Sequence, residues 1–441
     1  MDTKSIWQMT EGLPHFAPLK GNAKTDVLII GGGMAGILCA HFLKERGVDY
    51  MLVEKDTIGS HTTGNTTAKI TAQHGLIYQK LLGTVGVERA RQYLEANQEA
   101  VGKYFKLCEG IDCDFSEKDN YVYSVGNRGK IEAEARAIEK LGGRALLSGA
   151  KELPVKTVGA VGFAHQAQFH PLKFIRALAG DLNIFEHTFV KGFLGKTAVT
   201  KNGKIAFCRL VVATHFPMDN KHGLYFMKLY QHRSYVLALA DVKAPQAMYV
   251  DEEKTGFSFR GYGDFLLLGG GGHRTGKQGG AWQELRRFSR RHYPQSREVA
   301  HWAAQDCMPL DGIPYIGKYS RNMADCYVAT GFGKWGMTSS MAGAMLLADM
   351  LTGRRNPYAD VFAPSRGMLH PQLFVNTVET LGNFLIPSGR RCPHLGCVLK
   401  WNKAEHSWDC PCHGSRFSGD GRLLDGPANG GIPQKKVLKY F

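Results

Sequence analysis

Asp26-Val-Leu-Ile-Ile30 runs directly into Gly31-Gly-Gly-Met-Ala-Gly36. The first five residues are an apolar, β-branched run of the kind that forms a strand buried in a parallel sheet. Glycines at 31, 33 and 36 then spell G-x-G-x-x-G, and residues 34–46 carry helical spacing. Tyr50-Met-Leu-Val53 supplies a second strand, closed by Glu54. Strand, glycine turn, helix and strand in that order predict a Rossmann-type βαβ unit. The glycines permit a tight turn, a close approach of backbone to a pyrophosphate and close helix–strand packing. The helix N-terminus then offers free N–H groups and a favourable dipole to the phosphates. Glu54 stands where a carboxylate can accept hydrogen bonds from a ribose. The unit predicts a dinucleotide and does not by itself choose between FAD and NAD.

The 441 residues are enough for two or three domains with ordinary apolar cores. The N-terminus lacks the basic region and apolar core of a signal peptide. Val27–Leu38 is too short and glycine-rich for a membrane span. The expectation is a cytoplasmic protein without a membrane span. A net charge of +16 raises nucleic-acid binding as an option. However, the densest basic stretch, Arg286, Arg287, Arg290, Arg291 and Arg297, has the spacing of one solvated helix face. A nucleic-acid partner is therefore not expected; dinucleotide phosphates and an acidic redox partner can use the surplus.

Six of the ten cysteines are scattered through apolar or mixed segments and read as buried thiols. The other four cluster near the end, as Cys392-Pro-His394-Leu-Gly-Cys397 and Cys410-Pro-Cys412-His413-Gly-Ser415. C-x-H followed by C-x-x-H gives two thiolates for one iron and two imidazoles for the other, the Rieske [2Fe-2S] arrangement. Cys392 and Cys410 are assigned to the first iron, His394 and His413 to the second. A Cys₂His₂ zinc site is the rival, but zinc ligands usually pair like with like.

Further strand-like runs at Arg209–Thr214 and Cys326–Thr330 lie far from the first unit, a spacing that suits the flavoenzyme pattern of a nucleotide domain assembled from distant segments around an inserted one. The motifs SIWQ (5–8), GSHTTGNTTAKITAQHGLIY (59–78), QFHPLKFIRAL (168–178), QHRSYV (231–236), LLLGGGGHRTG (266–276), DGIPYIG (311–317) and YVATGFGKWGMTSSMAG (327–343) extend nearly to residue 366. With these motifs the chain resembles the D-amino-acid-oxidase-like superfamily of FAD-dependent oxidoreductases. Within it, the chain is most similar to the bacterial branch with a C-terminal Rieske domain. The resemblance implies an α/β (α+β) fold: a Rossmann-type FAD-binding domain, an inserted antiparallel-sheet substrate domain, and a small all-β Rieske-like tail. Expected boundaries are 24–84, 156–215 and 306–366 for FAD, 85–155 and 216–305 for substrate, 367–386 for a helical linker and 387–441 for the tail.

The resemblance also implies residues. Cofactor contacts are expected at Gly31, Gly33, Met34, Ala35, Gly36, Glu54 and Lys55. More are expected at Thr62, Thr63, Thr66, Thr67 and Lys69, which run beside the flavin ring, and at Val190, Ala213 and Thr214. The loop and helix start at Gly331, Gly333, Lys334, Trp335, Gly336, Met337 and Thr338 should face the flavin pyrimidine, where helix N–H groups or Lys334 would stabilise developing negative charge. His232, Arg233, Tyr235, His273 and Arg274 are candidates for the substrate side, with Lys334, Arg233, Tyr235 and His273 as catalytic candidates. An arginine there could clamp a carboxylate. His61 and His74 lie near the flavin, but neither has a context diagnostic of a covalent link.

For the tail, the resemblance implies a Cys397–Cys412 disulfide and a sulfide-binding hydroxyl on Ser415. Phe417 stands where high-potential members carry tyrosine, which should lower the potential. Only 25 residues, 367–391, precede Cys392 after the flavin region, and Pro371–Phe384 look helical, so the usual β base is shortened. Val437–Phe441 and 398–408 are the strands available to complete it. The leading function is oxidation of a small-molecule amine or amino acid by hydride transfer to FAD, with electrons passed through the cluster to an unidentified acceptor. The alternatives are an oxygen-using amine oxidase with a non-functional tail and a redox-sensing, nucleic-acid-binding protein.

Overall fold

The computed structural model describes residues 3–253 and 256–433. The stretch 26–36 forms the centre of the first sheet. Its strand order is Tyr315–Lys318, Cys326–Thr330, Lys204–Val212, Ala23–Ile30, Tyr50–Val53, Ile184–Phe185. Ile30 pairs with Val53 on one side and Val212 on the other, both in parallel register. The strand is buried on both faces from Val27 onward, as its unbroken apolar run requires. Helix Met34–Glu45 follows and packs against helix Gly336–Leu351.

The second sheet is nine-stranded and almost entirely antiparallel. It is built on the long strands Arg297–Pro309, Leu229–Ala240 and Phe265–Arg274. Two segments expected in the nucleotide-binding part, Lys69–Ile70 and Gly159–Gln168, pair in this sheet instead. Strand Arg297–Pro309 also runs without a break across the boundary drawn at 306. Periodicity reveals that a segment is a strand but not which sheet receives it. On helix Ala281–His292, Trp282, Leu285 and Ser289 are buried while Arg287, Arg290 and Arg291 are exposed, matching the expected solvated face.

The tail is a four-stranded antiparallel sheet of Lys400–Asn402, Ser407–Asp409, Arg416–Ser418 and Leu423–Asp425. The first two strands fall where 398–408 predicted extended chain; Val437–Phe441 lies outside the described residues. Among the described residues, 367–391 carry helix Pro371–Leu385 and no strand beyond one bridge residue, Arg391. The core left to the tail is small: its cysteines with Leu399, Phe417 and Ala428.

Such a core needs outside support, and the body supplies it. Arg233 donates to both oxygens of Glu405, at 2.9 and 2.5 Å. Glu405 also accepts from Tyr235 Oη at 2.9 Å and from Arg416 Nη2 at 2.7 Å. Burial alone would raise the Glu405 pKa from 4.5, but Arg233 and Arg416 hold it down at about 2. The carboxylate therefore adds stability above pH 4.5 that is lost as pH falls toward 2. Glu405→Gln removes the carboxylate from the buried Arg233 fork, while Arg416 keeps Asp409 and Asp425. It is expected to destabilise the tail by about 3–5 kcal/mol, read as a lower unfolding midpoint at pH 7.

Candidate active site

One cavity of about 480 Å³ lies where the two sheets meet the tail. Of the expected cofactor contacts, Gly31, Gly33, Met34, Ala35, Glu54, Lys55, Thr62, Thr63, Thr66, Thr67, Lys69, Val190, Ala213, Thr214, Gly333, Lys334, Trp335, Gly336 and Met337 line it. Gly36, Gly331 and Thr338 do not. Gly36 serves packing: a Cβ there would sit 1.9 Å from the Gly31 carbonyl oxygen. Thr338 is turned inward, its hydroxyl bonded to the Thr71 backbone at 2.9 and 3.0 Å.

The residues present fit a dinucleotide. Gly31 has φ +114°, and a Cβ would meet the Ala213 carbonyl oxygen at 2.5 Å, so the turn tolerates no side chain. Helix Met34–Glu45 begins at Gly33, which offers no capping side chain. Met34 N–H donates to Thr63 Oγ1 at 3.0 Å. Glu54 is set by Gly32 N–H at 2.7 Å and Asp56 N–H at 3.0 Å, which hold its carboxylate at the cavity edge. Trp335 stacks on His74 with ring centroids 5.1 Å apart. His74 is held through both nitrogens, by Tyr93 Oη at 2.7 Å and the Thr71 carbonyl at 2.8 Å. His61 lines the cavity and pairs with Asp56 at 2.7 Å.

Lys69 is the unusual wall residue. It is buried, its ammonium reaches Thr67 Oγ1 at 3.3 Å, and no carboxylate among the described residues pairs with it. Burial, with Arg260 nearby, pushes its pKa down to about 7. Arg260 is also buried and spends its donors on Gln168 and on the carbonyls of Thr67, Ala68 and Phe169.

The substrate-side expectations are largely redirected to the tail. Arg233 does not clamp a small-molecule carboxylate, because Glu405 already occupies its fork. His273 is off the cavity, bonded to Tyr235 Oη and the Arg274 carbonyl, both at 2.9 Å. Arg274 holds the second cysteine loop, through the carbonyls of Pro411 and Cys412, and reaches Asn376 at 2.9 Å. His232 is buried off the cavity. Tyr235 lines the cavity, yet its hydroxyl points to Glu405 and His273. Lys334 lines the cavity near Asp306, whose pKa burial raises and Lys334 lowers.

The two ligand loops of the tail are built alike. Cys392 N–H bonds the Cys397 carbonyl at 2.9 Å, and Cys410 N–H the Ser415 carbonyl at 2.8 Å. The Cys397–Cys412 disulfide ties them together. Cys392 is pulled down to about 7 by its bond with Cys410 against the effect of burial, helped by the His394 and Leu395 N–H groups and the Ser415 hydroxyl. The rings of His394 and His413 lie 5.0 Å apart. His394 Nε2–H donates to Asn220 Oδ1 at 2.9 Å, which leaves its Nδ1 lone pair for a metal. Nδ1 of both rings is buried with no partner among the described residues, a costly state that ligation relieves. Two thiols and two imidazoles converging in this way fit a [2Fe-2S] cluster.

Several residues at this junction carry no signal in spacing or composition. Gln305 is one: its side chain donates to the Gly414 carbonyl at 2.9 Å, while its backbone carbonyl accepts from Thr62 Oγ1 at 3.3 Å on the cavity side. Asn220, Asp306 and Glu405 were likewise missed, because only the fold brings them here. Leu423 and Asp425–Asn429 of the tail line the cavity as well. Gly31→Ala is expected to lose FAD: backbone strain costs about 1–3 kcal/mol, and the clash with Ala213 adds to it. The check is flavin absorbance and content of the purified variant.

Comparison with known proteins agrees with this geometry. The family model "FAD dependent oxidoreductase" (DAO) matches residues 26–350, and the Rieske [2Fe-2S] domain model matches 372–436. The Rieske 2Fe-2S iron-sulfur protein YhfW of Bacillus subtilis (strain 168) is 34% identical over 496 aligned positions, covering 96% of each chain. The chloroplastic cytochrome b6-f complex iron-sulfur subunit of Arabidopsis thaliana is 60% identical over 56 residues, 13% of this chain and 24% of that one. Among solved structures, L-proline dehydrogenase from P. horikoshii superposes with a TM-score of 0.66 at 19% identity, over 78% of this chain and 98% of that chain. Glycine oxidase from Geobacillus kaustophilus gives 0.64 at 20% identity, over 78% and 100%. The chain belongs to the DAO family of FAD-dependent oxidoreductases, carries a C-terminal Rieske domain, and has FAD and a [2Fe-2S] cluster as its cofactors.

Proposed function

We propose that the protein dehydrogenates an amino acid and passes the electrons on through the cluster, one at a time. When bound, FAD takes up the hydride equivalent and the [2Fe-2S] cluster handles single electrons. The observation that carries this reading is Gln305, which walls the cavity with its backbone and holds the cluster loop with its side chain. One residue thus touches both the cavity wall and the cluster loop, a layout suited to electron passage between them.

Lys69 supports an amino acid over a simple amine. A buried cation in the cavity wall with no acid partner among the described residues is a ready counter-charge for a carboxylate. Lys334, also in the cavity lining, adds positive charge to the same chamber. A carboxylate held by these groups would fix the substrate in one pose, and pose is what a hydride transfer needs.

Substrate carboxylate binding should be strongest below about pH 7, where Lys69 keeps its proton, and weaken as pH rises. Lys69→Met is expected to raise KM for an amino acid by about 10–100-fold, the roughly 1.5–3 kcal/mol of a charged hydrogen bond. Amines without a carboxylate should change little. For the electron path, anaerobic substrate added to the native enzyme should bleach the flavin band and bring up the EPR signal of a reduced cluster, with average g below about 2. Flavin bleaching with the cluster left oxidised, or stoichiometric hydrogen peroxide in air, would sink the electron-transfer reading.

A further inference from the structure

Helix Pro371–Leu385 is built inside out. Its buried residues are two asparagines, Asn376 and Asn383. Asn376 accepts from Arg274 at 2.9 Å, and the Asn383 carbonyl accepts from Val398 N–H at 3.0 Å. Helical spacing then turns Phe374, Val375, Val378, Leu381, Phe384 and Leu385 outward, with Phe374 73% and Leu385 74% exposed. A surface helix ordinarily turns its apolar stripe toward its own core. Here the stripe faces away, and no described base strand covers it. An apolar patch of this kind marks an interaction surface.

Charge decides what the surface meets. Glu379 is the one acid in the helix, and Lys277 neutralises it at 2.5 Å. At the C-terminal end, Arg391 is exposed and donates to the carbonyls of Phe384, Ile386 and Gly396. Arg390 and Lys400 are exposed beside it. A second copy set face to face would bring these arginines together and oppose two chains of net charge +16. An anionic lipid surface instead offers acyl chains to the apolar face and phosphates to the arginines. We propose that this helix lies in the plane of an anionic bilayer, its apolar face sunk to the headgroup boundary. At 15 residues it is below the ~20 needed to cross, and no described helix is long and apolar enough to do so. The seating brings the first cysteine loop, which hangs from Asn383 through Val398, to the lipid surface.

The test is sedimentation of the holoprotein with vesicles of phosphatidylglycerol or of phosphatidylcholine alone. The protein should pellet with the anionic vesicles, stay in solution with the neutral ones, and be released by salt. A Phe374→Ser, Val378→Ser, Leu381→Ser triple variant should stay in solution with both, keeping its flavin spectrum and melting temperature. Failure of the native protein to pellet with phosphatidylglycerol overturns the proposal, as does equal pelleting of the triple variant. A native dimer without lipid that the triple variant converts to monomer overturns it too, and assigns the face to a second copy.

Discussion

The buried clamp of Arg233, Glu405 and Arg416 is the interaction on which the rest depends. A cluster-binding tail with so small a core has little reason to hold one position on a larger body. A carboxylate gripped by two guanidiniums, with Tyr235 completing its hydrogen bonds, gives it one. The desolvation cost of such a network is repaid only when every member is satisfied. The clamp therefore acts as a register: it sets how the tail meets the sheet. The contacts of Gln305, Asn220 and Arg274 with the cysteine and histidine loops follow from that register.

The same register explains why His394 and His413 face the flavoprotein rather than solvent. Phe216 and Phe226 pack edge-on to His413, and Asn220 orients His394. In that dry setting burial holds the His394 and His413 pKa values down at about 4 and 3. Both rings stay neutral at physiological pH, the form in which imidazole binds metal.

Local signals were legible where chemistry is local. The glycine turn, the closing acid and the Cys/His loops are each short, and their physics is complete within a few residues. Cys392 meets Cys410, the rings of His394 and His413 lie 5.0 Å apart, and most expected flavin contacts line one cavity. What sequence could not show was which partner a polar side chain would find. Arg233 looks the same in a strand whether it waits for a substrate or for Glu405, 172 residues away. Thr338 reads as a flavin contact until its hydroxyl is seen closing on Thr71. The strand at Gly159–Gln168 shows the same limit at the level of sheets.

The tail does more than carry metal. Leu423 and Asp425–Asn429 form part of the wall around the flavin cavity. The fold of the tail and the shape of the cavity are therefore linked. A cell that fails to deliver iron and sulfide to this chain leaves a flavin pocket with one side poorly supported. Iron supply would then govern how well the chain retains its flavin, even though no iron ligand touches the pocket.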